Sequence, residues 1–200
     1  MTDASQDDLR LSSARLSVEH VPSPLGDVVL ASEGDTLVAC ALAGQRAHRE
    51  LVECGTERPD EPVLRQAVAW LGAYLAGREP DVPMPELRPQ GTAFQHEVWH
   101  LIREVPYGHV TTYGELANLV VLGRGGGRMS AQAVGGAVGK NPLAIFVPCH
   151  RVLAAGGRIG GYGGGLDKKL WLLAHEGIDV SGMALPTSGR FAGGGDALAR

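Results

Sequence analysis

A proline-rich segment at residues 79–90 divides this chain of 200 residues into two halves with different hydrophobic patterns. Proline fixes one backbone angle and lacks an amide proton, so neither a helix nor an inner strand can run through such a segment. The first half predicts strands at 14–21, 25–32 and 36–42, an unassigned polar stretch at 43–60, and a helix at 61–78. The sequence therefore predicts two small domains joined by an extended linker.

The second half carries helix signals in close succession. Apolar residues recur at helical spacing, and the predicted helices cover 92–104, 112–121, 130–139 and 166–177. Thr92 is a predicted N-cap, and Thr112 with Glu115 fits a capping box. Two helices, a glycine-rich turn and a third helix follow the order of a helix-turn-helix unit. The apolar run at 143–147 predicts a buried strand.

The predicted organisation has four parts. They are a disordered N-terminus at 1–12, an α+β domain with its linker at 13–90, a helical domain at 91–178 and a flexible tail at 179–200. Hydrophobic residues make up 44% of the chain and charged residues 20%, a composition that supports a core and excludes wholesale disorder.

No stretch of the sequence has the length and hydrophobicity of a membrane span. The longest apolar run, at 37–43, has seven residues, whereas a span requires roughly 18. The N-terminus lacks the basic start and apolar stretch of a signal peptide. We therefore expect a cytoplasmic protein with no membrane partner.

Positive charge and glycine are concentrated in one part of the chain. Residues 101–170 have a net charge of +5, whereas residues 1–100 have a net charge of −8. The same segment holds 16 of the 29 glycines, but none of its glycine clusters forms a phosphate-binding loop or a dinucleotide fingerprint. A basic segment in an acidic chain indicates a polyanionic partner for that segment.

Cys149 is the strongest candidate for a nucleophile. It follows Pro148, and His150 and Arg151 come directly after it. An imidazole and a guanidinium close to a thiol would favour the thiolate, which is the form that attacks carbon.

The two other cysteines, Cys40 and Cys54, are interpreted as structural. Three cysteines without a CxxC pair predict neither a disulfide framework nor a zinc site. We therefore expect no bound metal.

Three strings of residues surround Cys149: Gly139-Lys-Asn-Pro142, Ile145-Phe-Val-Pro-Cys-His-Arg-Val152 and Gly161-Tyr-Gly-Gly-Gly-Leu166. Together they resemble the O6-alkylguanine-DNA alkyltransferase family. Further matching strings are Ser23-Pro-Leu-Gly26, Thr92-Ala-Phe-Gln95, Val105-Pro-Tyr-Gly108, Thr112-Tyr-Gly-Glu-Leu-Ala117, Ala133-Val-Gly-Gly-Ala137 and Leu172-Leu-Ala-His-Glu-Gly177. The match is clear over residues 92–177 and loose in the first half.

The resemblance implies an α+β fold. An N-terminal α/β roll, similar to ribonuclease H, is followed by a C-terminal winged helix-turn-helix domain. It also implies direct-reversal DNA repair, in which an alkyl group moves irreversibly from O6 of guanine in double-stranded DNA to Cys149. Each molecule would act once, without a cofactor and as a monomer, with cooperation along DNA left open.

The resemblance also assigns roles around Cys149. His150 would take the thiol proton through a water molecule, Glu176 would orient His150, and Asn141 would join the hydrogen-bond network. Tyr113 would donate its hydroxyl towards guanine N3. The other residues grouped with the substrate pocket are Val152, Gly163 and Arg151, the last as a brace of the site loop.

The predicted helix at 130–139 would lie in a DNA groove while the target nucleotide is flipped out. Gln132 stands where members of the family usually carry an arginine that fills the gap in the duplex. The loop before this helix is longer than usual and carries Arg124 and Arg128, so we hypothesise that one or both supply the missing charge. The other predicted DNA contacts are Ala133, Gly135 and Lys140.

Two other functions remain open from the sequence. An alkyltransferase-like reader would bind alkylated guanine without transferring the group, but such proteins lack the cysteine. A thiol hydrolase would use Cys149, His150 and Glu176, but the chain shows no separate histidine in a hydrolase context. Transfer of a methyl group to Cys149 would separate these readings.

Overall fold

A computed structural model describes residues 16–183 of the chain. The expected disordered N-terminus at 1–12 and residues 184–200 of the expected flexible tail lie outside the described residues. The described elements form a strand-rich N-terminal domain and a helical C-terminal domain, which is the predicted α+β architecture.

The N-terminal domain is built on a four-stranded sheet. As predicted, β1 (Ser17–Ser23), β2 (Gly26–Glu33) and β3 (Thr36–Leu42) form an antiparallel meander. The short β4 (Thr56–Glu57) pairs in parallel with β1, so the strand order is β3-β2-β1-β4. Every residue of β3 after Thr36 is buried, which shows that both faces of this edge strand are covered.

Two helices belong to this domain. The predicted helix is α2 (Pro62–Leu75), which begins with proline at a position where the missing amide proton costs nothing. The other helix, α1 (Arg46–Cys54), lies in the polar stretch that the sequence left unassigned. Leu51 is its only buried residue, so α1 lacks the apolar periodicity from which helices are predicted.

The proline-rich linker runs along the outer edge of β3. Leu37 N donates to Glu86 O (2.8 Å), and Arg88 N donates to Leu37 O (2.9 Å). These bonds satisfy backbone groups of β3 that no strand of the sheet reaches. The linker is extended, as predicted, and it also covers the sheet edge.

The C-terminal domain contains four α-helices among the described residues. They are α3 (Ala93–Arg103), α4 (Tyr113–Gly123), α5 (Ala131–Gly139) and α6 (Leu166–His175). The predicted caps are confirmed, because Thr92 and Gln95 form one capping box and Thr112 and Glu115 form another. The short strands β5 (Thr111–Thr112) and β6 (Val152–Leu153), which the sequence did not predict, pair in parallel beside the helices.

The apolar run at 143–147 is not the buried strand that its composition predicts. Leu143 makes one isolated bridge to Cys40, after which the chain turns, with a φ of 70° at Ile145. Val147 N donates back to Leu143 O (2.8 Å), which is a turn and not a ladder. All five residues are buried, and hydrophobicity alone does not distinguish a buried strand from buried turns.

The outer edge of β3 also joins the two domains. Cys40 N donates to Pro142 O (2.9 Å), and Ala144 N donates to Cys40 O (3.0 Å). Next to these bonds, Trp70 of α2 stacks on Phe146 with the ring centroids 4.7 Å apart. The apolar core is therefore continuous across the domain boundary.

Replacement of Phe146 by alanine tests this shared core. We expect Phe146→Ala to lower the free energy of unfolding by about 3–5 kcal/mol, because it leaves a cavity between the domains. Urea denaturation measures the change, with Leu122→Ala as control, since Leu122 is 73% exposed. A loss as small as that of the control would contradict a core shared by both domains.

Candidate active site

Cys149 lies at a cavity between the two domains. The cavity has a volume of about 350 Å³. Its lining includes Cys149, Tyr113, Asn141, Tyr162, Gly163 and Gln45. Glycines 135, 139 and 161 also line the cavity, and because they have no side chains they leave its volume free. The size and the convergent polar groups are typical of a small-molecule or nucleobase pocket.

The thiol of Cys149 is buried and protonated at rest. The residue begins a 3-10 helix, Cys149–Arg151, directly after Pro148. Burial raises the pKa of the Cys149 thiol, although a hydrogen bond from Asn141 and the charge of Lys169 act in the opposite direction. The sequence-based expectation of a thiolate favoured by His150 and Arg151 is therefore wrong for the protein at rest.

The two basic neighbours of Cys149 do not offset the effect of burial, because Glu176 binds both of them. Arg151 Nε and Nη2 donate to Oε2 (2.8 Å) and Oε1 (3.0 Å) of Glu176, and Arg151 Nη1 donates to Val105 O (2.6 Å). The guanidinium therefore braces the site loop and does not line the cavity. Burial lowers the pKa of His150, and this outweighs the attraction of Glu176. The imidazole is neutral near pH 7 and can accept a proton.

The contact between His150 and Glu176 determines which imidazole nitrogen is free. His150 Nε2 lies 2.7 Å from Glu176 Oε1. Because the ionised carboxylate only accepts, we assign the imidazole proton to Nε2. His150 Nδ1 then carries the lone pair, and this buried atom has no hydrogen-bond partner among residues 16–183.

Glu176 is ionised despite its burial. Burial alone would raise the pKa of Glu176, but hydrogen bonds from His150 and Arg151 lower it to about 2. Gly108 N also donates to Oε2 (3.2 Å). Glu176 itself follows the last residue of α6 and forms its C-cap.

Tyr74 of the N-terminal domain completes this network, and no sequence pattern predicted its role. Its hydroxyl donates to Glu176 Oε1 (2.8 Å) and lies 3.4 Å from His150 Nε2. Tyr74 lies in the apolar stripe of α2, where it is fully buried. A tyrosine in such a stripe signals a buried hydroxyl that needs a partner, but it does not say which partner.

Asn141 holds the loop that carries Cys149. Its amide nitrogen donates to Cys149 Sγ (3.1 Å) and to Val147 O (2.8 Å), and its amide oxygen accepts from Leu143 N (3.0 Å). One side chain therefore contacts both ends of the turn before the thiol and the thiol itself.

Lys169 and Tyr162 are two further residues near the thiol that sequence reasoning missed. Lys169 is fully buried on α6 and donates to Val152 O (2.6 Å), and burial lowers its pKa to about 8. A lysine at an apolar position of the predicted helix was a usable signal. The Tyr162 hydroxyl lowers the pKa of the thiol, yet it has no well-aligned hydrogen-bond partner among residues 16–183.

The remaining predicted pocket residues divide into two groups. Tyr113, the first residue of α4, and Gly163 line the cavity. Burial raises the pKa of the Tyr113 phenol, which therefore remains a hydrogen-bond donor. Val152 is fully buried in β6 and does not line the cavity.

Gly160 allows the backbone to pass close to the Tyr113 ring. A β-carbon at Gly160 would lie 2.8 Å from the Tyr113 hydroxyl, so only glycine fits at this position without a shift.

The predicted DNA contacts lie around α5. Gln132, Ala133 and Lys140 are exposed, and Gly135 reaches the cavity. Arg124 is bonded to Glu97 through Nε (3.2 Å) and lies over the ring of Phe94. Exposed Arg128 makes no hydrogen bond or ion pair within residues 16–183.

Comparison with known proteins places the chain in a family. The family models described as "6-O-methylguanine DNA methyltransferase, DNA binding domain" and "6-O-methylguanine DNA methyltransferase, ribonuclease-like domain" match residues 93–178 and 18–85. A methylated-DNA–protein-cysteine methyltransferase of Methanosarcina acetivorans is 39% identical over 78% of this chain and 94% of its own length. The chain belongs to the 6-O-methylguanine DNA methyltransferase family.

Other members of the 6-O-methylguanine DNA methyltransferase family support this placement. A methylated-DNA–protein-cysteine methyltransferase of Mycobacterium leprae is 40% identical over 77% of this chain and 88% of its own length. The structure of Mycobacterium tuberculosis OGT in complex with DNA is similar with a TM-score of 0.69 and 38% identity, covering 80% of this chain and 92% of that one. The resemblance stated from the sequence is confirmed.

The described residues were also compared with the requirements of a metal site and of a membrane-spanning helix. Within residues 16–183, no group of three or more His, Cys, Asp and Glu side chains could hold a metal ion. His20 and His48 instead contact the same carboxylate oxygen of Asp27, each at 2.9 Å. In the same part of the chain, every helix is too short or too polar to cross a membrane.

Replacement of Glu176 by glutamine tests the charge assignment. A carboxyl group with a lowered pKa stabilises the fold above its unfolded value and loses this contribution as the pH falls through the folded value, here about 2. We expect Glu176→Gln to lower the free energy of unfolding by about 3 kcal/mol near neutral pH, because Arg151 loses its counter-charge. We also expect the variant to show a shallower loss of stability in acid.

Urea denaturation at several pH values measures both effects. The control is Glu53→Gln, which changes an exposed carboxylate on α1. If wild type and Glu176→Gln lost stability in parallel between neutral and acidic pH, folding would not lower the pKa of Glu176.

Proposed function

We propose that this protein repairs DNA by transferring an alkyl group from O6 of guanine to Cys149. The observation that carries the proposal is a buried thiol at a cavity of about 350 Å³, with a neutral imidazole and an ionised carboxylate behind it. The relatives named above are methylated-DNA–protein-cysteine methyltransferases. We also propose that the protein acts in the cytoplasm.

The transfer makes one bond and breaks one bond. The Cys149 thiolate attacks the alkyl carbon, an S–C bond forms, and the bond between that carbon and O6 breaks with its electron pair remaining on guanine. The thiol loses one proton and the departing guanine gains one, so the overall charge is unchanged. The thioether is stable, which means that each molecule acts once.

His150 supports this reaction as the general base. Its Nδ1 is neutral, buried and without a protein partner in the described part of the chain, so a water molecule bridging to Cys149 would satisfy it. Glu176 fixes the tautomer through Nε2 and stabilises the imidazolium that forms. Tyr74 and Arg151 act as positioning residues for that carboxylate.

Tyr113 acts on the departing guanine, and Asn141 acts on the sulfur that receives the alkyl group. The protonated Tyr113 hydroxyl is a donor at the cavity and would stabilise the charge that develops on guanine, at N3. Asn141 donates to the sulfur, which favours the thiolate when the proton leaves. Lys169 adds a positive charge that acts in the same direction.

The substrate must be flipped out of the duplex, because a stacked base cannot reach a buried sulfur. The exposed start of α5, with Gln132 and Ala133, lies next to the cavity-lining Gly135. We propose that α5 enters a DNA groove and that Gln132 fills the gap left by the base. Gln132 lacks the positive charge of the arginine that the family usually carries at this position. Arg124 is bonded to Glu97, so Arg128 is the better candidate to supply that charge.

The two alternatives from the sequence are not favoured. A reader without transfer has no use for the thiol, whereas here Asn141, Lys169 and Tyr162 all lower the pKa of Cys149 against the effect of burial. A thiol hydrolase is disfavoured because the relatives are methyltransferases that act on DNA, and no relative reported above is a hydrolase.

Incubation with a duplex that contains O6-methylguanine tests the proposed function. We expect intact mass spectrometry to show a gain of one methyl group per molecule, mapped to Cys149. Cys149→Ser should gain none, because a hydroxyl is far less ionised than a thiol. Cys54→Ser, which changes an exposed cysteine, should react like wild type. Tight binding without a mass gain would instead support the reader, and neither binding nor gain would contradict both DNA functions.

The salt dependence of DNA binding tests the role of Arg128. If Arg128 contacts a phosphate, Arg128→Ala should lower affinity for alkylated duplex and reduce the slope of log affinity against log salt by about one. Gln132→Ala should weaken binding without changing the slope, because glutamine is uncharged. Arg65→Ala, an exposed change on α2, is the matched control. If only the Gln132 change matters, the longer loop does not supply the charge.

A further inference from the structure

Gln45 brings a side chain of the N-terminal domain into the cavity of Cys149. It stands between β3 and α1 and lines the same cavity as Cys149, Tyr113 and Gly163. Sequence patterns give Gln45 no role, because it lies in the polar stretch at 43–60, which shows no clear periodicity. No other residue of the N-terminal domain is in the lining of this cavity.

The orientation of the Gln45 amide is fixed by the end of β3. Its oxygen Oε1 accepts from Leu42 N (2.6 Å), and this bond directs the amide nitrogen away from the strand. A β-carbon built at Gly163 would lie 3.5 Å from Gln45 Nε2. The amide nitrogen of Gln45 therefore faces Gly163 on the opposite wall. Because Gly163 has no side chain, the space between the two residues is empty.

The side chain of Gln45 does not serve helix α1. Gln45 occupies the N-cap position, where Ser, Thr, Asp or Asn would accept hydrogen bonds from the first turn, but it makes no side-chain cap bond. Its Nε2 also has no hydrogen-bond acceptor among residues 16–183. The amide is thus anchored at one end and open to the cavity at the other.

The wall that carries Gln45 is continuous with the loop of the nucleophile. Cys40, two residues before Leu42 on β3, bonds to Pro142 and Ala144 through its backbone. Leu42 in turn bonds to Gln45. The position of Gln45 relative to the Cys149 loop is therefore set by consecutive bonds along one strand edge.

We propose that Gln45 is a specificity-determining residue that limits the size of the O6 substituent accepted by the pocket. This inference rests on the proposed function. Gly163 leaves room on one wall, and Gln45 occupies the facing wall, so the length of residue 45 sets the width between them. A shorter residue there widens the pocket without touching the thiol or the His150–Glu176 pair.

The test compares transfer rates for O6-methylguanine and O6-benzylguanine in the same duplex. Rates are measured by intact mass, and the readout is the ratio of benzyl to methyl transfer. We expect Gln45→Ala to raise this ratio by about tenfold, the scale on which pocket contacts discriminate substrates by size. Gly163→Ala should lower the ratio, because it narrows the same space from the other wall.

Two further variants separate size from other roles. Gln45→Glu has nearly the same size and keeps the oxygen that accepts from Leu42 N, so it should retain the wild-type ratio. Gln66→Ala is the matched control, since Gln66 is exposed on α2 and bonds to Pro83 O and Met84 O. Thermal denaturation of each variant accompanies the rates, because loss of the Leu42 bond alone would lower stability and leave the ratio unchanged.

The outcomes are distinguishable. If wild type transfers the methyl group but Gln45→Ala leaves the ratio of benzyl to methyl transfer unchanged, the role of Gln45 is overturned and the proposed function stands. An equal change in Gln45→Ala and Gln45→Glu also overturns the size argument. Wild type that transfers no methyl overturns the proposed function and the inference with it.

Discussion

The buried carboxylate of Glu176 is the interaction on which the site depends. It accepts hydrogen bonds from His150, Arg151, Tyr74 and the backbone of Gly108, at 2.7–3.2 Å. Removing a carboxylate and a guanidinium from water is costly, and five hydrogen bonds to the two oxygens of Glu176 offset this cost. The same bonds orient the free nitrogen of the imidazole and hold the guanidinium away from the cavity, while burial keeps the imidazole neutral.

The N-terminal domain takes part in this site from two sides. Tyr74 of α2 reaches the carboxylate from behind, and Gln45 lines the cavity in front of Cys149. Between them, the edge of β3 binds the turn that leads to the thiol. The strand-rich domain is thus a structural part of the active site, although the nucleophile, the base and α5 all belong to the helical domain.

Local patterns in the sequence predicted most of the fold. The three strands, α2, the N-cap of α3 and the capping box of α4 follow from spacing and cap residues, which act within a few positions. Helix α1 and the turns at 143–147 were predicted wrongly or left out, because α1 buries only Leu51 and the turns depend on bonds to β3. Tyr74 was missed because its partner Glu176 is distant in sequence, and Gln45 was missed because the rest of the cavity that it lines comes from residues 113–163. The prediction of a thiolate at Cys149 was wrong. Adjacency in sequence to His150 and Arg151 does not reveal that Glu176 binds both side chains.

A raised thiol pKa suits a nucleophile that is used once. Oxidants and stray electrophiles react with the thiolate, so a buried protonated Cys149 is protected while no substrate is bound. Protection matters more here than in a turnover enzyme, because modification of the single sulfur ends the life of the molecule. Activation then has to come from groups already in place: the free Nδ1 of His150, the amide of Asn141 and the charge of Lys169. A flipped base that fills the cavity excludes bulk water from these groups and strengthens their action on the sulfur, so the thiolate forms where an alkyl carbon is present to receive it.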